Sequence, residues 1–391
     1  MDIKIKVYAK AQNRLALGII QAYVILHPLT TLDDLNKVFP HSINPDSGVK
    51  ENFIDVTKVH EKQGEKWNGF FVKETELISL ADETPLSVVS MWTKPSLERL
   101  LKKAAQSGIE GELVEQLPEQ ACLLCGDDTS VLAKSVGYTI ELLNGYEPQS
   151  RLLLLVEEDV RTFFGRMATA LPQQGKNIFF NEKDFQIKLS IYLSDLKNLS
   201  GEPKYDDVKV EYYIPQKELG KEYERWNNNI FLDIVVEKDG VYLPIELKYN
   251  TTPVSMGIER FGEVISDEDI IKYQGATNDL CYYFWKDVRR LELVKQRFPR
   301  VKNGIALILT NNFSLKKGPR ESALYYQFSL ADGKHSPSKH WKKEKKDFQE
   351  VKSSQEKKDS QPDFELSKSY TTTWQDITLE GAPFMYNIVE V

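Results

Sequence analysis

Asn229-Ile-Phe-Leu-Asp-Ile-Val-Val-Glu-Lys-Asp-Gly-Val-Tyr-Leu-Pro-Ile-Glu-Leu-Lys-Tyr249 is the stretch on which the fold turns. Ile230 to Val236 is an apolar, β-branched run, Lys238-Asp239-Gly240 is a hairpin signal, and Val241 to Tyr249 is the return strand. Asp233 sits in the middle of the first strand, and Glu246 and Lys248 stand two apart near the end of the second. Side chains two apart share a face, so Glu246 and Lys248 stand together while Ile245, Leu247 and Tyr249 face the other way. A carboxylate on each of two neighbouring strands, with a lysine, is costly on an apolar sheet unless a cation or a substrate compensates it.

Two carboxylates suit a hard divalent ion such as Mg²⁺ (or Mn²⁺), which keeps several waters. A lysine beside them can orient or help deprotonate a water, or neutralise charge on a phosphate in the transition state. These are the parts needed to hydrolyse a phosphodiester. The arrangement resembles the PD-(D/E)XK nuclease superfamily, with Asp233 at the first acidic position and Glu246-Leu247-Lys248 as the (D/E)-X-K element. Leu232 stands where the nominal proline would be.

The surroundings extend the pattern. Asn181 to Leu196 reads as a helix with Asn181 as its N-cap and Phe185, Leu189, Leu193 and Leu196 as an apolar stripe. Glu182 falls within that stripe, either to favour the helix dipole or to serve as a third carboxylate. The resemblance implies the latter, because superfamily members often carry such a glutamate on the helix before the sheet, and Glu182-x-x-Phe185-Gln186 matches that helix. Asp207 to Ile214 reads as a strand and Gln216 to Asn228 as a charged, mobile loop. Arg225 and Trp226 in that loop, with Tyr249, are candidate substrate contacts, since arginine and aromatic side chains stack on bases; packing is the competing reading. Asn250 to Ile265 reads as a loop whose Arg260 and Phe261 flank the site.

Asp267 to Phe298 reads as one long helix with Gln274 turned toward the sheet, and Arg289 and Arg290 exposed or paired with Asp287 and Glu292. Lys272-Tyr-Gln-Gly and the segment Cys281 to Glu292 are similar to a bacterial branch of the superfamily. There a glutamine on this helix supports the lysine or contacts the scissile phosphate, a role that falls on Gln274. Gly304 to Thr310 is a continuous apolar run, as in a strand buried on both faces. Ala323 to Leu330 and Phe384 to Val391 read as further strands. Ser336 to Ser367 is rich in Lys, Glu, Ser and Gln and reads as a flexible insertion; its lysines at 342–346 add nonspecific phosphate affinity or are merely solvated.

Residues 1–110 read as a separate α+β module: a strand to Ala9, a helix over Asn13–Leu26, a capped helix from Thr31 stopped by Pro40, a hairpin about Gly69 within Trp67–Leu80, and an amphipathic helix from Ser96 to Gln106. A winged-helix-like nucleic-acid reader and an interaction or dimerisation module both fit. Residues 111–177 read as a helical connector. Cys122 and Cys125 form a CxxC without a second pair or nearby histidines, which favours two buried thiols over a zinc site.

Composition bounds the rest. The chain has 391 residues, 41% hydrophobic and 28% charged, enough for two or three cores. No run approaches a membrane span and no signal peptide is visible, and three cysteines fit a reducing cytoplasm. The net charge of −7 supplies no global field for nucleic acid, so any contact must be local. No phosphate-cradling G-x-x-x-x-G-K-[ST] motif is present, so any motor would be a partner.

The expected architecture is α/β, a restriction-endonuclease-like αβββαβ core with a mixed sheet over 178–391, behind the small N-terminal domain. The expected activity is Mg²⁺- or Mn²⁺-dependent cleavage of nucleic acid, DNA before RNA, in a bacterial restriction or anti-phage defence setting, with a homodimer or a defence-system protein as partner. Asp233, Glu246 and Glu182 would hold the metal, Lys248 would position water, and Gln274 would support it. The competing expectation is a catalytically idle scaffold of the same fold that binds nucleic acid or a partner protein.

Overall fold

The computed structural model of the chain describes residues 3–56, 69–81, 84–118, 136–144, 150–170, 175–198, 201–226, 229–273, 276–342 and 361–391. It is mixed α/β and divides into two compact units, Met1–Leu154 and Leu155–Val391. No described helix is long and apolar enough to cross a membrane.

The first unit contains β1 (Ile5–Ala9), β2 (Phe53–Asp55), β3 (Ile78–Ser79), β4 (Pro85–Val88), β5 (Ile109–Leu113) and β6 (Tyr138–Leu142), arranged in two sheets of order β5-β1-β6 and β2-β4-β3. Helix Gln12–Leu26 lies on the first sheet and buries Leu15, Leu17, Ile19 and Ile20. Gly18 permits that approach, because a Cβ there would meet Val7 Cγ1 at 2.6 Å. Thr31 caps helix Leu32–Val38 in a reciprocal capping box with Asp34, and the following Phe39-Pro40 ends it.

Two expectations bear on this unit. The segment before Gly69 in the expected hairpin lies outside the described residues; within the described part β3 pairs with β4, and Phe70 forms a bridge to Val89. A one-turn 3-10 helix at Glu74–Glu76, tied by Arg14 to Glu76 at 2.6 Å, separates the two pairings. β1 also recruits β5 on one side and β6 on the other, since a lone strand leaves its backbone groups unpaired. The first unit therefore runs past residue 110, and the division falls inside helix Arg151–Thr169. Cys122 and Cys125 lie outside the described residues.

In the second unit, helix Glu182–Asp195 precedes β7 (Asp207–Ile214), β8 (Ile230–Lys238) and β9 (Val241–Asn250). β10 (Val254–Arg260) and β11 (Glu263–Ile271) form a separate two-stranded ribbon, and helix Thr277–Arg297 and β12 (Ile305–Thr310) follow. Short strands β13 (Gly333–His335), β14 (Ser338–Lys339), β15 (Phe364–Glu365) and β16 (Tyr370–Thr372) pair β13 with β16 and β14 with β15. β17 (Gln375–Leu379) and β18 (Ala382–Glu390) then complete a six-stranded sheet of order β17-β18-β12-β9-β8-β7. β9 and β12 are parallel and the other neighbours antiparallel, with Ile245 opposite Ile305 and Lys248 opposite Ile308. β12 is buried along its whole length, as its unbroken apolar run requires.

The two long helices cover opposite faces of this sheet. Glu246 and Lys248 meet side chains of helix Thr277–Arg297, whereas the Tyr249 ring lies against Phe179 and Phe185 beside helix Glu182–Asp195. Successive strand residues point to opposite faces, so the helices must be on opposite sides.

Five segments differ from the expectation, the first being Asn250–Ile265, expected as a loop, which runs through the end of β9, β10 and the start of β11. Asp267–Ile271 is the end of β11 and not the start of a helix, which begins at Thr277. Residues 216–226 are packed: Tyr223 is fully buried and Arg289 clamps Glu222 with two hydrogen bonds of 2.8 and 2.7 Å. Tyr326–Phe328 within the expected strand 323–330 is a 3-10 turn, from which Phe328 enters the core. The two ends of the expected flexible insertion 336–367 are ordered, with Lys339, Trp341, Phe364 and Leu366 all buried; residues 343–360 lie outside the described part.

Candidate functional site

The site begins where a ladder stops. β8 pairs with β9 from Lys238 opposite Val241 as far as Ile234 opposite Ile245, and no further. The turn between them is Asp239-Gly240, both with positive φ, as a two-residue type I′ hairpin demands. Beyond Ile245 the N–H groups of Leu247 and Tyr249 face the departing strand and need acceptors. Asp233 Oδ2 accepts from Leu247 N at 2.7 Å, and Glu182 Oε2 accepts from Tyr249 N at 2.9 Å. Two carboxylates, one from β8 and one from the first turn of a helix, thus replace a missing strand. Their donors are two residues apart on β9, about 7 Å, so the carboxylates stand within a span that a hydrated ion or a substrate group can bridge.

The backbone is also bent on the far side of Asp233. β7 pairs with β8 at Val210–Ile234 and at Tyr212–Leu232, but Glu211 and Asp233 between them are unpaired. Glu211 has φ of 50°, an uncommon conformation for a residue with a side chain. Buried Gln186 compensates, donating from Nε2 to the Asp233 carbonyl at 2.6 Å and to Glu211 Oε1 at 3.1 Å. Gln186 therefore fixes the backbone from which Asp233 projects.

On the face covered by helix Thr277–Arg297, Glu246 and Lys248 enter a buried charge network. Arg290 Nη1 lies 2.6 Å from Glu246 Oε1 and its Nη2 3.0 Å from Asp287 Oδ1; Lys248 Nζ lies 2.6 Å from Asp287 Oδ2. Arg290 also donates from Nε to the Tyr223 hydroxyl at 3.1 Å. Burial pushes the Asp233 and Glu182 carboxyls above their ordinary values, and nearby Lys248 only partly offsets it. Burial likewise drives Glu246 upward against the pull of Arg290. Asp287 goes the other way: burial opposes its charge, but Lys248 and Arg290 outweigh it. Lys248 is held above its usual range because surrounding carboxylates, Asp287 first, overcome the cost of burying it. A lysine so held remains protonated at neutral pH. It can donate a hydrogen bond or neutralise a phosphate oxygen, but it is a poor base.

No protein-family model, curated protein or solved structure matches this chain.

Four of the sequence candidates, Asp233, Glu246, Lys248 and Glu182, gather at this end of β9. Gln274 lies outside the described residues. Tyr249 is buried, its hydroxyl donating to the Phe179 carbonyl at 2.6 Å, and Trp226 is buried with Nε1 donating to the Tyr282 hydroxyl at 2.7 Å. Both are packing residues rather than substrate contacts, because their polar ends are already engaged inside the fold. Arg225 is exposed, with its guanidinium 5.0 Å from the Trp226 ring and an ion pair of 3.6 Å to Glu222. Sequence reasoning missed Asp287 and Arg290 as site residues, and Gln186 as the group that shapes it. On a helix, Asp287 and Arg290 three apart read as an ordinary surface pair; their burial depends on docking against Glu246, far away in sequence.

The implied divalent cation can be tested against this geometry. Among the described residues no three Asp, Glu, His or Cys side chains are arranged to hold a metal ion. Glu246 is committed to Arg290, so the expected trio of Asp233, Glu246 and Glu182 does not converge here. Asp233 and Glu182 each retain one carboxylate oxygen with no hydrogen bond among the described residues, and two carboxylates suffice for Mg²⁺ with its waters.

Proposed function

We propose that this protein is a nuclease of the PD-(D/E)XK type that hydrolyses phosphodiester bonds, DNA before RNA, with Asp233 and Glu182 holding Mg²⁺ or Mn²⁺. The observation that carries the reading is the pair of half-buried carboxylates filling the gap between β8 and β9, with protonated Lys248 beside them. The order helix, β7-β8-β9, helix, β12, with the β10–β11 ribbon inserted before the second helix, is in keeping with the αβββαβ order expected of such a core and supports the reading as well.

A divalent cation bound there supplies charge neutralisation and an acidified water. This chain's own groups do the rest. Asp233 and Glu182, half-buried and each anchored by a backbone N–H of β9, would hold the cation with their second oxygens. Lys248 donates to a non-bridging phosphate oxygen, where negative charge grows in the transition state. Asp287 holds the Lys248 ammonium in place, and Gln186 holds the Asp233 backbone.

A second reading has its own support. The engagement of Glu246 by Arg290 favours an idle nuclease-like scaffold that binds nucleic acid or a partner without cutting. Incubating supercoiled plasmid and labelled single strands with Mg²⁺, Mn²⁺ or EDTA separates the two, with Lys248→Met and Asp233→Asn as controls. Metal-dependent nicking that both substitutions abolish supports the nuclease. Binding without nicking, with no heat of Mg²⁺ or Mn²⁺ binding by calorimetry, supports the scaffold.

A further inference from the structure

The β10–β11 ribbon carries an aromatic ring, Phe261, that is fully exposed among the described residues. We propose that Phe261, at the tip of this ribbon, stacks on an unpaired base of the nucleic-acid strand that enters the Asp233–Glu182 site. The inference rests on the nuclease reading and adds its substrate class: a strand with at least one unstacked base beside the scissile bond.

The tip is placed for this. Arg260 lays its guanidinium 4.7 Å from the ring of Phe180, and Lys176 pairs with Glu259 at 3.3 Å. Phe180 stands two residues before Glu182, so the tip lies at the helix end that supplies one of the site carboxylates. The base of the ribbon is closed by Thr251, whose hydroxyl donates to the Lys272 carbonyl at 3.0 Å, directly after β9.

Phe261 is there against the preference of its own backbone. Among the described residues of this unit, three hairpin turns have two consecutive residues with positive φ: Asp239-Gly240, Phe261-Gly262 and Glu380-Gly381. A bulky aromatic at φ of 54° is an outlier where Asn, Asp or Gly is normal. Strain is ordinarily offset by packing, yet this ring has a relative exposure of 105%. Residues held in such sparsely populated backbone conformations cluster at active sites and ligand clamps.

The tip suits a base better than a protein. Lys176 pairs with Glu259 and the Arg260 guanidinium lies over the Phe180 ring, so two cations stand beside the tip. It exposes the Phe261 ring, and Val264 and Ile265 on β11 are exposed as well. A stable protein contact takes about 800 Å² from each partner, whereas one ring is all that a base stack needs.

The test measures binding in EDTA, where cleavage cannot intervene. Fluorescence anisotropy of a labelled single strand and of a duplex with a single-stranded overhang would compare wild type, Phe261→Asn and Phe261→Trp. Because position 261 is fully exposed, both variants keep the fold, which circular dichroism verifies. Phe261→Asn should weaken binding roughly five- to a hundred-fold with an unchanged salt dependence, since it removes stacking and no phosphate contact. Phe261→Trp should bind at least as tightly as wild type. Unchanged affinity in Phe261→Asn overturns the proposal, and if plasmid nicking still requires Lys248, the nuclease reading survives alone. Wild-type protein that neither binds nor cuts sinks both. Self-association in sedimentation that Phe261→Asn abolishes, with strand binding intact, would reassign the ring to a protein contact.

Discussion

Arg290→Met is the perturbation that probes the buried network most directly. Methionine fills much of the same volume but leaves Glu246, only 2% exposed, without its counter-ion and Asp287 with Lys248 alone. Breaking a buried ion pair by removing one partner costs about 3–5 kcal/mol. For a unit of this size that corresponds to a fall of roughly 6–20 °C in melting temperature. The sign of the pH dependence follows from Glu246. Its folded pKa is already raised by burial, and losing Arg290 raises it further. The folded state then prefers the protonated acid, so stability is present at low pH and lost as pH rises. The deficit against wild type should therefore shrink between pH 8 and pH 5. Scanning calorimetry of the full chain, which resolves the transitions of two units, is the assay. A fall of less than about 2 °C at pH 8, or a deficit that grows on acidification, would refute the account of Arg290 as the group that stabilises a buried Glu246.

The remaining predictions concern the other groups around the gap. Lys248→Met should lower nicking about 100-fold or more and also destabilise the fold, because it strips Asp287 of a partner; Lys248→Arg should restore stability more than rate, as gel assays and thermal melts would show. Gln186→Leu should cost about 1–3 kcal/mol in urea melts by leaving the Asp233 carbonyl unsatisfied, and should slow cleavage although Gln186 touches no substrate. Wild-type stability should decline as pH rises through the raised pKa values of Asp233 and Glu182, and Asp233→Asn with Glu182→Gln should flatten that decline in the same melts. Phe261→Asn should stabilise the protein by about 0.5–1 kcal/mol through relief of the turn; a loss of stability would mean the ring packs somewhere in the fold.

The core strands were legible because each carries its own period. β8, β9 and β12 follow from β-branched runs, from Asp239-Gly240, and from an apolar segment with no polar face. The gathering of Asp233, Glu246 and Lys248 follows from the same reading, since register within a tight hairpin is set locally. Failures cluster where tertiary contact overrides local signal. Ser266-Asp-Glu-Asp-Ile-Ile271 has the acid-then-apolar look of a helix start, yet it pairs with β10 because the Phe261-Gly262 turn folds it back. Trp226 and Tyr249 carry the same aromatic signal whether they meet a base or a neighbouring side chain, and only burial decides. Arg290 looked like a surface cation because its partner is on another element. Gln186 was visible as a polar residue at the edge of an apolar stripe, but its role depends on a kink at Glu211 that no periodicity announces.

That kink has a bearing on the solubility of the molecule. β7 is the outer strand of the large sheet and exposes Val210, Tyr212 and Tyr213, the composition of a strand that invites another chain to pair with it. Glu211, in a left-handed conformation at its centre, breaks the regular row of backbone donors and acceptors, while Lys209 ties its charge to Asp207 and Glu237. The bend beside Asp233 thus doubles as a guard against edge-to-edge aggregation. Straightening it would loosen the site and open the sheet to growth.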